Sequence, residues 1–329
     1  MSVQQTANAP IQGVSLTYKE ASDADLHAAN LTNWRQEYDQ TSRGEFRGSI
    51  IELPFEDLQV FKESTSQALQ QKCIVWPESV WLGIPLDKQE PCRINGLSVR
   101  TNNIMCRPGD CEFQLTTPES YDLFGMVVQQ ETLLRMANIH GMTLNWSELT
   151  EHGRLALPEQ TLKDVRFLLE RLLGNPSGHV TTNRMSHDLV MMALLEVLQA
   201  ETPEPAQTQS YHHRKAVVDR ARSFILENPD TPMTVTDLCE VANVSRRTLQ
   251  YAFESIIGIS PIQYLRTSRL NGVRRALISA SQSASISDIA AQWGFWHMSQ
   301  FAKDYRQLFG ERPSETLELN GAFAANLAR

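Results

Sequence analysis

The segment "SRRTLQYAFESIIGISPIQYL", residues 245–265, lies on "HMSQFAKDYRQLFGERPSETL", residues 297–317, after a shift of 52 positions. Leu249 then meets Phe301, Phe253 meets Tyr305, Ile256 and Ile257 meet Leu308 and Phe309, Gly258 meets Gly310, and Pro261 meets Pro313. Apolar residues at i, i+4, i+7 and i+8 make each copy one amphipathic helix. The glycine predicts a left-handed cap, and the proline predicts the first turn of a following helix. A duplicated apolar stripe of this kind confines the end of the chain to a small all-α bundle built twice.

Upstream of each copy a second short helix is expected. "TVTDLCEVANVS" and "SISDIAAQWGFWHMS" both run from a Thr or Ser cap to Asp and then to an apolar pair, Leu238 with Val241 and Ile289 with Trp293. Here the offset is 51, so the second turn is one residue longer. Helix, tight turn and capped second helix make a helix-turn-helix unit, whose second helix lies in the DNA major groove. The polar side of the first reading helix offers Ser245, Arg246, Arg247, Gln250 and Tyr251; that of the second offers His297, Ser299, Gln300, Lys303 and Arg306. Arg and Gln match guanine and adenine edges bidentately, and Ser245 suits a phosphate. A single polar face would read as solvated surface, but two in register favour groove reading. The intervening "SPIQYLRTSRLNGVRRALI" predicts a rod of about 27 Å, near the roughly 34 Å that separates successive major grooves on one DNA face. Its Arg266, Arg269, Arg274 and Arg275 are expected to pair partly with neighbouring acids and partly with phosphate. The aromatics Trp293, Phe295, Phe301, Tyr305 and Phe309 are expected in the core, and so is Trp296, with a DNA-backbone contact as its alternative.

Charge divides the chain in the same place. Residues 1–204 hold 16 Lys and Arg against 27 Asp and Glu, while residues 205–329 hold 14 against 11. Only the second part can approach a polyanion without repulsion. "ETPEPAQTQS", residues 201–210, carries two prolines and no apolar period, so residues 201–211 read as a linker and 212–329 as the DNA-binding domain. Before it, residues 1–157 read as a β-rich domain of barrel or sandwich type. A lead-in helix is expected over 22–40, from His27, Leu31, Trp34 and Tyr38, and strands in "FRGSIIEL", "LQVFKES", "VWLGIPL", "CEFQLTTP" and "YDLFGMVV". Residues 158–200 then read as two helices able to self-associate. One carries Val165, Leu168, Leu169 and Leu172, the other Leu189, Met192, Leu195 and Glu196 with Leu198. The fold class is α+β and multidomain.

No histidine stands between positions 28 and 139. Metal-dependent enzymes on small β-barrels need inward imidazoles, so the barrel is expected to bind rather than react, without a metal. Trp76, Trp81, Phe113 and Tyr121 are candidate effector walls, with core packing as the alternative. The five cysteines, without CxxC, speak against a disulfide framework or zinc ribbon, and the longest apolar run, "LVMMALLEVL", is half a membrane span. A cytoplasmic, non-enzymatic protein is expected, without a membrane partner. An alkyl-transfer enzyme with a helix-turn-helix appendage would need paired zinc-binding cysteines, which Cys106 and Cys111 alone do not supply.

"SRRTLQYAFESIIGISPIQYLRTSRLNGVRRALI" and "ISDIAAQWGFWHMSQFAKDYRQLFGERPSE" resemble the C-terminal signature of the AraC/XylS family of bacterial transcription regulators, over residues 213–317. Trp296 departs from the usual small polar or charged residue. The resemblance implies promoter DNA and RNA polymerase as partners. "DLQVFKESTSQALQQKCIVWPESVWLGIP" and "RPGDCEFQLTTPESYDLFGMVV" further resemble ethanolamine-utilization regulators, which implies activation of such an operon in response to ethanolamine and adenosylcobalamin. A family member answering another small molecule remains the alternative, and both a monomer and a homodimer through 158–200 remain open.

Overall fold

The structure is a computed structural model that describes residues 15–100, 102–144, 153–174, 184–200, 207–228, 231, 233–281 and 283–318. In chain order the N-terminal elements are β1 (Thr17–Ala21), α1 (Ala24–Ala28), β2 (Arg35–Gln40), β3 (Gly48–Pro54), β4 (Leu58–Thr65), β5 (Leu69–Ile74), β6 (Ser79–Pro85), β7 (Arg93–Ile94), β8 (Leu97–Ser98), β9 (Asn103–Pro108), β10 (Phe113–Thr117), β11 (Tyr121–Gln129), α2 (Gln130–Ile139), β12 (Arg154–Ala156), α3 (Glu159–Leu173) and α4 (Arg184–Ala200). The strands pair antiparallel in two sheets, ordered β1-β3-β4-β11-β6-β9-β12 and β2-β5-β10-β7-β8.

The larger sheet is buried on both faces, which is why its central strands read as apolar runs rather than alternation. All seven residues of β6 are buried. One face packs on α2, α3 and α4 through Leu82, Phe124, Met126, Leu169 and Leu194. The other meets the smaller sheet across Phe61, Trp81, Phe113, Tyr121 and Val127. The expected β-rich fold with flanking helices is the observed one.

Three expectations need correction. The lead-in helix over 22–40 holds only for α1, capped by Asp23. Asn33 takes a left-handed φ of 63°, which a helix interior does not tolerate, and residues 35–40 pair with β5 as a strand. In α4 the expected Leu195 and Leu198 are buried, but the expected Leu189 and Met192 are exposed, and Val190, Met191, Leu194 and Val197 complete the buried face. The expected linker over 201–211 lies partly on residues 201–206, outside the described residues, and its last positions are helical: the next helix, α5 (Gln209–Glu227), is capped by Thr208.

After α5 come α6 (Val235–Ala242), α7 (Arg246–Ile256), α8 (Pro261–Ser279), α9 (Ile286–Gln292) and α10 (Met298–Phe309). They form two cores rather than one. Leu238, Leu249, Phe253 and Ile256 pack with α5, while Ile289, Phe301, Tyr305 and Phe309 pack together further along. Helix α8 belongs to both, giving Tyr264 and Leu265 to the first core and Leu270, Val273 and Leu277 to the second. A helix rigid over 19 residues, about 28 Å, therefore fixes one unit relative to the other.

Candidate nucleic-acid interface

Each unit is built by local rules visible in its residues. Thr234 and Asp237 form a reciprocal capping box at the start of α6, and Ser285 caps α9 on Asp288. Ser245 caps α7 by accepting from the Thr248 amide at 3.2 Å. Gly258 and Gly310 take φ of 95° and 80° after the two reading helices, and Pro261 opens α8. These are the conformations the repeat predicts, and glycine adopts them without a Cβ penalty.

The buried stripes leave one side of each reading helix outward. On α7, Arg246, Arg247 and Tyr251 are exposed and Gln250 is half-buried, with its amide donating to Glu254 at 2.6 Å. Arg214 of α5 lies over the Tyr251 ring at 5.6 Å, a cation that the repeat alone did not reveal. The Ser245 hydroxyl is engaged in its cap, so its backbone and exposed position rather than a free hydroxyl are what it offers a phosphate.

On α10, Ser299, Gln300, Lys303 and Arg306 are exposed, with His297 exposed at the N-cap. Gln300 donates to Asp304 at 2.7 Å. Lys303 and Arg306 line an open groove of about 700 Å³ with Gln307, Arg312 and Ser314. Three cations along one groove suit a phosphate strand. Arg312, between the aligned Gly310 and Pro313, follows the end of α10 and so stands outside the helical face that the repeat marks out. Trp296 is not in the core as expected but 66% exposed. The remaining expected core aromatics are packed, Phe295 against Phe301 at 5.1 Å and Tyr305 against Phe309 at 4.6 Å.

The four arginines of α8 are all engaged by protein. Arg266 pairs with Asp304, and Arg269 donates to the Thr231 carbonyl at 2.6 Å. Arg274 bonds Asp23 and, at 2.7 Å, Glu311, and lies over Phe309. Burial opposes its charge, but Tyr305, Asp23 and Glu311 hold its pKa above the ordinary value. Arg275 faces Asp39 at 2.9 Å, Glu37 at 3.5 Å and Asp25 at 3.7 Å. Arg274 and Arg275 thus turn toward the β domain, and the phosphate role expected for part of this set does not fall to them.

The same face carries further bonds between domains. Gln40 and Asn271 exchange two, the Gln40 amide donating at 3.0 Å and the Asn271 side chain donating back at 2.9 Å. The Leu308 carbonyl accepts from Gly44 and from the Gln40 side chain. The β7–β8 hairpin packs Leu97 against the first core, and its Asn95 carbonyl accepts from Tyr211 at 2.7 Å. The β domain therefore bonds to both units while the polar faces of α7 and α10 stay outward.

In the β domain, Trp81 stacks on Phe113 at 4.7 Å with Trp34 edge-on at 5.9 Å, and Tyr121 lies in the same inter-sheet core. Trp76 is half-buried at the edge of that core. Three of the four candidate effector walls are thus brought together, and they are packed on one another.

Residues 238–318 match the family profile described as a helix-turn-helix domain. The chain is 38% identical over 103 residues to the XylDLEGF operon transcriptional activator 2 of Pseudomonas putida, and 39% over 100 residues to the regulatory protein HrpB of Ralstonia nicotianae. By its C-terminal domain the chain belongs to the AraC/XylS family. These alignments take in 31% and 30% of this chain and 66% and 21% of the two relatives' own lengths. Among solved structures, the AraC-like transcriptional activator CuxR is similar at 13% identity, covering 84% of this chain and all of that one, with a TM-score of 0.41. A probable AraC family transcriptional regulator from Rhodopseudomonas palustris is similar at 31% identity, over 32% of this chain and 96% of that one, with a TM-score of 0.29. Among the described residues no helix is long and apolar enough to cross a membrane.

Proposed function

We propose that this AraC/XylS-family chain is a non-enzymatic activator that reads an asymmetric promoter site with α7 and α10 and responds to a small molecule held by its β domain. The observation that carries the DNA reading is the pair of outward polar faces joined by a helix that belongs to both cores. Arg247, Gln250 and Tyr251 serve one half of the site, and His297, Ser299, Gln300, Lys303 and Arg306 the other. A mobility-shift titration of the full chain against promoter DNA at increasing salt tests this. Affinity should fall steeply with salt, because released counterions drive phosphate contacts; no affinity at low salt refutes it.

For the effector, ethanolamine is the reading the N-terminal resemblance favours. Support comes from two buried carboxylates in the inter-sheet core. Glu52 accepts from Thr32 at 3.0 Å and Gln59 at 2.6 Å, and Glu63 lies 3.0 Å from both His27 and Tyr38. Neither bond set contains Lys or Arg, and His27 beside Glu63 is their basic partner, so a small ammonium group would be attracted most by Glu52. Adenosylcobalamin is the second effector that resemblance implies, but a corrin has no place among the stacked rings of that core and would have to lie on an outer face. RNA polymerase is the expected partner of an activator, and a homodimer would use α3 and α4, where Phe167, Leu189 and Met192 are exposed. Calorimetry with ethanolamine and adenosylcobalamin, separately and together, tests the effector reading; heat from neither removes it.

A further inference from the structure

The turns of the two helix-turn-helix units share their left-handed residue and their closing hydrogen bond, with an offset that changes from 51 to 52 within the turn. Asn243 and Gly294 both take the left-handed conformation, with φ of 53° and 77°. One residue on, the Val244 amide bonds the Cys239 carbonyl at 3.0 Å and the Phe295 amide bonds the Ala290 carbonyl at 3.0 Å. Up to here the offset is 51. Val244 and Phe295 also share a role, each packing on the core of its unit. The N-caps, Ser245 and His297, are offset by 52. Trp296 is therefore the single inserted residue. It fills no core position, since Phe295 already does so, and an indole two-thirds exposed costs hydration with no internal gain.

Its place tells what it meets. Trp296 immediately precedes the N-cap of α10, and the N-terminal end of a reading helix is the part that enters the major groove. That end is chemically open: the His297 side chain makes no capping bond, unlike Ser245 in the first unit. Next to it stand the exposed Ser299, Gln300 and Lys303. In the major groove the apolar feature available to an indole is the thymine C5-methyl group.

We propose that Trp296 is a specificity-determining residue that selects thymine in the α10 half of the site by covering its methyl group. This rests on the DNA-reading role above. The first unit, which has no residue at this point, makes no such selection at the equivalent position.

The test uses the full chain and a pool of duplexes with a randomised 30-base-pair centre. Wild type and Trp296→Ala are each carried through selection, and the thymines of the wild-type consensus are then replaced singly by deoxyuridine. The proposal expects a thymine in the α10 half-site that Trp296→Ala no longer selects. Removing its methyl should weaken wild type about four-fold, the factor for one buried methyl-sized group, and leave Trp296→Ala unaffected. An unchanged thermal midpoint shows that the variant is folded. Identical consensus sequences, or equal weakening of both proteins by uracil, overturns the proposal, as does a uniform loss on every sequence, which would make Trp296 a backbone contact. Failure of wild type to enrich any sequence would instead refute the DNA-reading role itself.

Discussion

Replacing Arg275 by Met should loosen the grip of the β domain on α8, and more at pH 7.5 than at pH 5.5. The guanidinium is 25% exposed and the Asp39 carboxylate, 2.9 Å away, 16% exposed. At an effective dielectric of about 20, two charges at that distance attract by about 6 kcal/mol, most of it offset by desolvation. Losing one partner of a buried pair costs about 3 to 5 kcal/mol and of an exposed pair about 0 to 1, so about 2 kcal/mol is expected here. Burial has pushed Asp39 up to about 6, against the pull of Arg275. A raised carboxyl contributes stability that is present below its unfolded pKa and lost as pH rises through the folded value, so docking weakens as pH passes 6. Without Arg275 only the weaker pull of Arg222 restrains that loss, whereas at pH 5.5 Asp39 takes a proton and only Glu37 and Asp25 miss their cation. The Gln40 and Gly44 amides donate across this interface and report its opening by hydrogen exchange. Their protection, corrected for intrinsic exchange, should fall about thirtyfold at pH 7.5, the factor for about 2 kcal/mol. Arg275→Met with Asp39→Asn should cost less than the two single changes added. Unchanged protection, an equal loss at both pH values, or simple additivity refutes the argument.

Gly272→Ala should destabilise the second unit by about 1 to 3 kcal/mol, the usual range for overpacking, because its Cβ would lie 2.2 Å from the Trp293 ring; thermal unfolding checks it. His187→Gln should flatten the pH dependence of stability. Asp57, 2.9 Å from His187, raises the imidazole pKa, and His187 in turn lowers that of Asp57. The His187 contribution is present below its ordinary 6.5 and lost as pH rises, and the Asp57 contribution is present above 3.8 and lost as pH falls. Wild type should therefore lose thermal stability from pH 5.5 to 8.5 by more than the variant does. Arg247→Ala should relax base preference in one half-site and Lys303→Ala in the other, each by about 1 to 3 kcal/mol of discrimination in competition binding. Equal weakening on all sequences would make either a phosphate contact.

The DNA-binding half was legible because its signals are local and occur twice: caps, glycines and prolines fix conformations that packing does not override. Strands β6 and β11 were legible as apolar runs. Strands β2 and β5 were not, because their inward positions hold Gln36, Gln40 and Gln71 beside Tyr38 and Cys73, and Tyr38 also falls at helical spacing from His27, Leu31 and Trp34. Only the partner strand decides between the two periods. The role of Arg274 and Arg275 was invisible for a similar reason: their acids, at 23, 25, 37 and 39, lie far away in the chain. Trp296 looked like core by residue type, and only its place as the extra residue in a repeated turn sets it outside.

Hydroxyl-radical footprinting of the full chain on a selected DNA site tests the central claim most directly. Two reading helices held by α8 should protect two windows about 10 base pairs apart on one face of the duplex, with Arg247→Ala and Lys303→Ala each weakening a different window. A single window, or two on opposite faces, would contradict the account.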